Sequence, residues 1–289
     1  MNKTRRTSLK TYRMTSFGAI ILVFLLIYLV ALLGLLTWAV VTSFEPYGPE
    51  AGFFSNVWDS FSHFVIRVQG RKDAISFAEM LRNSLLYSLG CAFSATLVSC
   101  FTAYAVSRYH YWFSRVVYAI VIITMIIPSV GSLPAEVSLA IRFGLYDHIW
   151  GQWVMKANFL SLYFLIFYDF FAHLPQTYFE AAEMDGAGDG CKMFRIALPL
   201  AKTLIGTVFL LNFVMFWNDY AGPTIYLKSK PTLAVGLYST FNYGITYYKL
   251  NGAPAIVPIA FTIASPVIAI YAIFHRQLTR NLNIGGIKE

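Results

Sequence analysis

Residues 17–44, FGAIILVFLLIYLVALLGLLTWAVVTSF, decide the architecture. The stretch contains no charged side chain, and a helix of about 20 apolar residues already crosses the hydrocarbon core of a bilayer. A basic tail precedes it, with Lys3, Arg5, Arg6, Lys10 and Arg13. A secretory signal would pair such a tail with an apolar region of about 7–15 residues and a small-x-small cleavage site. This run is much longer, and its end, Thr37-Trp38-Ala39-Val40-Val41, offers no convincing site. The reading is an uncleaved anchor.

The rest of the chain is of the same kind. Of its 289 residues 57% are hydrophobic and only 12% charged, against about 25% charged in soluble domains. Further spans are expected at 83–106, 116–139, 157–174, 204–227 and 252–274. The third is broken by Pro128, Gly131 and Pro134, with Glu136 near its end; the fourth ends on Asp169 and His173. Asn218 and Asp219 interrupt the fifth, and the sixth holds Pro254, Pro258 and Pro266. The expected fold is all-α and polytopic: six transmembrane helices, with both termini on one side.

Lys and Arg concentrate in cytoplasmic loops. With the N-terminus inside, the inner segments hold 13 of the 22 Lys and Arg and the outer segments nine. The bias is firmest in the tail ahead of the first helix. The net charge of +8 therefore reads mainly as topology. No basic stripe with interleaved aromatics points to nucleic acid.

That orientation puts 180–199, EAAEMDGAGDGCKMFRIALP, in a cytoplasmic loop, four acids and two bases in an otherwise apolar chain. Thr177-Tyr178-Phe179-Glu180 reads as a T-x-x-E capping box, starting a short helix after Pro175. Ala181 and Ala182 favour helix and leave room for another surface to approach. Gly186, Gly188 and Gly190 break the helix, 191–198 restarts it, and Pro199 leads into the fifth span. The bland alternative is a solvated loop.

Spacing favours the sharper reading. Glu180-Ala181-Ala182, then Gly186 after three residues, then Ile196-x-Leu198-Pro199 after nine more, resembles position by position the EAA loop of ABC importer permeases. Other pieces resemble the carbohydrate branch, the maltose-type inner-membrane permeases: Asn83-Ser84, Ala103-Tyr104-Ala105 with Arg108, Ile127-Pro128, Trp217-Asn218-Asp219 and Gly285-Gly286-Ile287-Lys288. The likeness covers roughly the last three-quarters of the chain. Glu289 replaces a common final glycine, and Asp169 stands where a small neutral residue is usual.

The resemblance implies a five-helix permease core at 83–274 plus a peripheral first helix. With the orientation read from Lys and Arg, the expected layout is a basic tail at 1–16, an extracytoplasmic loop at 45–82, the EAA loop at 175–202 and a cytoplasmic tail at 275–289. The loop would be a coupling helix docked on an ATPase subunit, with Glu180 as the pairing acid and Gly186 as the bend. Ala181, Ala182, Asp185, Ile196, Leu198 and Pro199 complete that set. Implied partners are a second permease in a heterodimer, two ATP-binding subunits holding ATP and magnesium, an extracytoplasmic solute-binding protein, and a carbohydrate substrate. The implied setting is a bacterial plasma membrane, and no cofactor is expected on this chain. Its nearest approach to a P-loop, 186–193, has Cys191 and Met193 where Gly and Ser or Thr are required.

The path is less sharply written. Irregular backbone in a membrane is tolerated where protein or water satisfies it, and in transporters it often marks the route. Pro128-Ser129-Val130-Gly131 and Trp217-Asn218-Asp219 are such breaks. Asn212 reads equally as a sugar-binding group and as an interhelical contact of about 0.6 kcal/mol. Asp219 is deep enough to face protein or water rather than lipid. Glu136 and Asp169 read as interfacial, and Tyr238, Tyr243, Tyr247 and Tyr248 as interfacial before sugar-stacking. The second span, rich in Ser84, Ser88, Gly90, Ser94, Ala95, Ser99 and Ala103, belongs inside the bundle. Cys91, Cys100, Cys191 and the five scattered His show no ligand spacing. A proton- or ion-coupled secondary carrier is the alternative, though it needs a buried ionisable relay and Asp219 stands alone.

Overall fold

The computed structural model describes residues 16–43, 64–66, 74–109, 111–127, 131–243, 259–261, 263–269 and 272. The basic tail, Pro128-Ser129-Val130, Tyr247, Tyr248, Pro254, Pro258, Gly285-Gly286-Ile287-Lys288 and most of 45–82 lie outside these. Among the described residues the chain is helical apart from loops and one isolated antiparallel bridge, Ile66 to Ile75.

Helix α1, Ser16–Ser43, is apolar on every side and exposed along almost its whole length. A helix hydrophobic all round needs a core or a bilayer around it, and here the bundle does not cover it. Helix α2, Phe77–Arg108, is the opposite case. Ser76 caps it, accepting from the Glu79 amide at 3.4 Å. Its small and polar residues, Ser84, Ser88, Cys91, Ala92, Thr96, Ser99, Cys100 and Ala103, are all buried. Some hydroxyls that a bilayer would penalise turn back on the helix itself, as Ser88 Oγ does on the Ser84 carbonyl at 2.7 Å, and others meet neighbouring segments.

The remaining helices gather round α2. They are α3 (Trp112–Ile126), α4 (Leu133–Arg142), α5 (Ile149–Lys156), α6 (Leu162–Ala172), α7 (Thr177–Met184), α8 (Asp189–Trp217), α9 (Ala221–Tyr226) and α10 (Leu233–Tyr243). α2 packs chiefly on α8, α6 and α5. Gly90 permits the closest approach: a β-carbon there would sit 2.0 Å from the Trp153 indole nitrogen. Two apolar clusters lie at the two ends of α2. One centres on Met80, Tyr87, Phe216 and Trp217, the other on Tyr104, Phe164, Phe167, Phe171 and Phe179.

By length and composition three described helices can cross a membrane: 17–39, 77–108 and 189–217. The other expected spans are shorter in the structure. The third divides into α3 and α4, which flank residues 128–132. The fourth helix begins only at Leu162, because 157–161 are not helical. The sixth is seen in part, as Ile259–Ala269. What holds is a helical multi-span bundle.

Pro199 does not begin a new helix. α8 runs continuously from Asp189 through a π-helical turn at Lys192–Ala197, where the Leu198 amide reaches back to the Met193 carbonyl. The widened turn relocates the hydrogen bonds around a residue that has no N–H of its own.

Candidate functional site

Two constructions stand out: an exposed helical knob at one end of α2, and a cavity beside its middle. The knob is α7 with the turn that follows. Its start is not the expected capping box. Gln176, already helical at φ −62° and ψ −31°, is the N-cap, and no side chain caps the turn. The Gln176 carbonyl accepts from the Glu180 amide at 3.0 Å. Its side-chain oxygen is occupied by Arg108, which donates to it at 3.1 Å. Arg108 also donates to the Leu174 carbonyl at 3.2 Å and lies 3.9 Å over the Phe179 ring. One arginine at the end of α2 thereby fixes the entrance to α7.

The exit is equally defined. Gly186 sits at φ +77°. The Ala187 amide donates to the Ala182 carbonyl at 2.8 Å and the Gly186 amide to the Glu183 carbonyl at 2.9 Å. This is a Schellman closure, which wants glycine at its left-handed residue. A β-carbon at Gly186 would touch nothing within 4 Å, so the demand is conformational rather than steric. Lys192 then ties the start of α8 back, at 2.6 Å to Glu183 and 3.2 Å to Asp189.

Between these fixings α7 presents an open face. Phe179 is buried beneath it, while Glu180, Ala181, Met184, Asp185 and Gly186 are exposed. Met184 is 88% exposed. Ala182, Ile196 and Leu198 are half-buried and Pro199 is exposed. That face is joined to α2 through Arg108 and Phe179, and to α8 through Lys192.

The cavity, of about 610 Å³, is lined by Ala95, Ser99, Glu136, Lys156, Asn158, Tyr163, Asn212, Phe216 and Tyr226 among others. Of the four residues chosen from the sequence for the path, Asn212 lines it. It is also the interhelical contact that was its other reading, since its amide nitrogen donates to Thr96 Oγ1 at 3.0 Å. The other three pin the end of α8. Trp217 is buried and donates to the Ile263 carbonyl at 2.8 Å. Asn218 is exposed and turns back to the Val214 carbonyl at 2.8 Å. Asp219 accepts from Tyr87 Oη at 2.7 Å and from the Gly222 amide at 3.0 Å, joining α2, α8 and α9.

Two cavity residues escaped the sequence reading. Glu136, read as interfacial, lines the space and accepts from Ser132 Oγ at 2.6 Å and Tyr226 Oη at 3.3 Å. Lys156, read as belonging to an outer segment, lies far deeper. Trp153 Nε1 donates to the Leu86 carbonyl at 2.9 Å and Ser99 Oγ to the Asn158 carbonyl at 3.3 Å, so 153–158 descend alongside α2. Leu86 and Ser99 are each nine residues from an end of α2, or about 14 Å. A charge at mid-depth costs about 2.5–3.5 kcal/mol on insertion scales and marks a functional position by default. The polar step Lys156-Ala157-Asn158 was the available signal.

The family described as "Binding-protein-dependent transport system inner membrane component" matches residues 95–284. The arabinooligosaccharides transport system permease protein AraQ of Bacillus subtilis is 29% identical over 71% of this chain and 72% of its own length. The diacetylchitobiose uptake system permease protein NgcG of Streptomyces coelicolor is 24% identical over 94% and 89%. The sn-glycerol-3-phosphate transport system permease protein UgpE of Yersinia enterocolitica is 24% identical over 78% and 80%. In fold, the chain is similar to a chain in the crystal structure of a bacterial ABC transporter involved in import of the acidic polysaccharide alginate. The TM-score is 0.71 at 22% identity, covering 90% of this chain and 95% of that one.

Proposed function

The chain belongs to the inner membrane components of binding-protein-dependent transport systems, and from that premise we propose that it is the permease subunit of an ATP-driven importer of a sugar or oligosaccharide. The observation that carries this reading is the family match across residues 95–284, which encloses both the knob and the cavity. Relatives named for arabinooligosaccharides and diacetylchitobiose support the substrate class. The permease is not itself an enzyme. It works with a second permease, two ATPase subunits that hold ATP and magnesium, and an extracytoplasmic binding protein. It sits in a bacterial plasma membrane as six spans with cytoplasmic termini.

In this scheme α7 docks on the ATPase through Glu180, Ala181, Ala182 and Asp185, with Gly186 turning the chain and Ile196, Leu198 and Pro199 backing it. ATP-driven closure of the ATPase pair moves α7. The Arg108 and Lys192 contacts pass that motion to α2 and α8, whose separation decides which side the cavity faces. Rigid contacts matter because a loose loop would absorb the displacement.

The test is reconstitution in proteoliposomes. Saccharide uptake should require ATP, the ATPase subunits and the binding protein together. Uptake by the chain alone under a proton gradient would instead establish the secondary carrier.

A further inference from the structure

Lys156 is a cation at mid-depth in a cavity lined, apart from Glu136, by hydroxyl, amide and apolar groups. Among the described residues no carboxylate pairs with it within 4.0 Å and no acceptor takes its ammonium. The acid of the same cavity is in a different position: each oxygen of Glu136 already accepts a hydroxyl, from Ser132 and from Tyr226. The two charges are therefore unequal as ligands, one with its hydrogen bonds met and one open. Around the open one the polar atoms suit a hydroxylated solute. Asn158 uses its side-chain oxygen on the Leu160 amide at 2.6 Å, and its NH₂ has no partner among the described residues. Asn212 donates to Thr96 and leaves its oxygen without a partner among the described residues.

We propose that the cavity selects an anionic saccharide, one carrying a carboxylate or a phosphate ester, whose charge Lys156 receives at mid-membrane while Asn158 and Asn212 meet its hydroxyls. This rests on the importer reading and narrows it. A positively charged hydrogen-bond donor in a partly enclosed cavity binds an anion more strongly than a hydroxyl. An unpaired ammonium also disfavours a neutral sugar, which cannot replace the hydration that the charge gives up.

The experiment uses the complete assembly in proteoliposomes with three probe sets. These are neutral malto-, arabino- and chito-oligosaccharides, uronate oligomers, and hexose and glycerol phosphates; the last two sets distinguish carboxylate from phosphate. Saturable, ATP-dependent uptake from a charged set is expected. Lys156→Gln should lower that uptake about tenfold or more, a change equivalent to about 1.4 kcal/mol, mainly by raising KM, and Lys156→Arg should restore most of it. Co-purification of the partner subunits reports whether each variant has assembled, and the wild-type panel decides the matter if Lys156→Gln does not. Uptake of neutral sugars alone overturns the charge selection and leaves the importer reading standing. So does an equal loss for charged and neutral probes in Lys156→Gln, or charged uptake that this variant leaves unchanged. Uptake of no saccharide overturns both.

Discussion

Gly186 and Glu180 occupy the same exposed face of the knob, yet they do different work. Gly186 holds a backbone conformation that an L-residue adopts at a cost of roughly 1–2 kcal/mol, and its amide closes the helix on Glu183. Gly186→Pro removes that donor and cannot reach φ +77°, so the turn must open. Glu180→Lys leaves the backbone alone and reverses a charge presented to water. Both should lower transport and sugar-stimulated ATP hydrolysis several-fold while the protein still inserts in the membrane. Only Gly186→Pro should also raise amide exchange at 187, whose amide closes on the Ala182 carbonyl. Membrane fractionation with coupled ATPase assays checks the first claim and hydrogen exchange the second; normal coupling in both variants would remove the docking role.

Between elements, contact distance is set by glycines that the hydropathy pattern hides. In α5 a β-carbon on Gly151 would lie 2.1 Å from the Leu145 carbonyl oxygen, a backbone atom that cannot swing aside. The loop holding Leu145 is itself fixed, since the Asp147 amide donates to the Tyr226 carbonyl at 2.8 Å and its carboxylate accepts from the Ser229 amide at 2.9 Å. Gly206 in α8 has nothing within 4 Å of its virtual β-carbon. Gly151→Ala should therefore destabilise by about 1–3 kcal/mol, as overpacking does, and Gly206→Ala should be neutral or stabilise by up to about 1 kcal/mol through helix propensity. Thermal unfolding of the detergent-solubilised protein should lower the midpoint for the first and hold or raise it for the second.

At the scale of the molecule, α2 is the beam from which the rest hangs: the knob at one end, the cavity beside its middle, and the α8–α9 junction near the other. That junction is closed by Tyr87 on Asp219, and Trp217 extends it to the last described helix through the Ile263 carbonyl. Trp217→Phe keeps a ring to stack on Phe213, now 5.7 Å away, but loses the indole hydrogen bond to the last described helix, worth about 0.5–1.5 kcal/mol. Limited proteolysis should then cut more readily within the last described helix, 259–269, and uptake should fall less than in Gly186→Pro. Equal protection of wild type and variant would show that Trp217 does not hold the last helix.

The class of this protein was legible in one dimension. A charge-free run longer than a bilayer is thick needs no knowledge of its neighbours to be read, and the spaced glycine and alanines of 180–199 specify a turn and a close approach locally. The small-residue face of α2 was likewise visible, because helical periodicity alone gathers Ser84, Ser88 and Ser99 toward one packed side. What only the tertiary structure decided was depth and company. Lys156 looked like a loop base until residues 157–161 left the helix and brought it down beside Cys91 to Ser99. Gln176 displaced the expected cap because Arg108, 68 residues away, claimed its side chain. Asp219 became a joint between α2 and α8 because Tyr87, 132 residues away, donates to it. Local pattern fixes what a segment is; the charge or hydroxyl it meets comes from distant chain, and packing alone brings the two together.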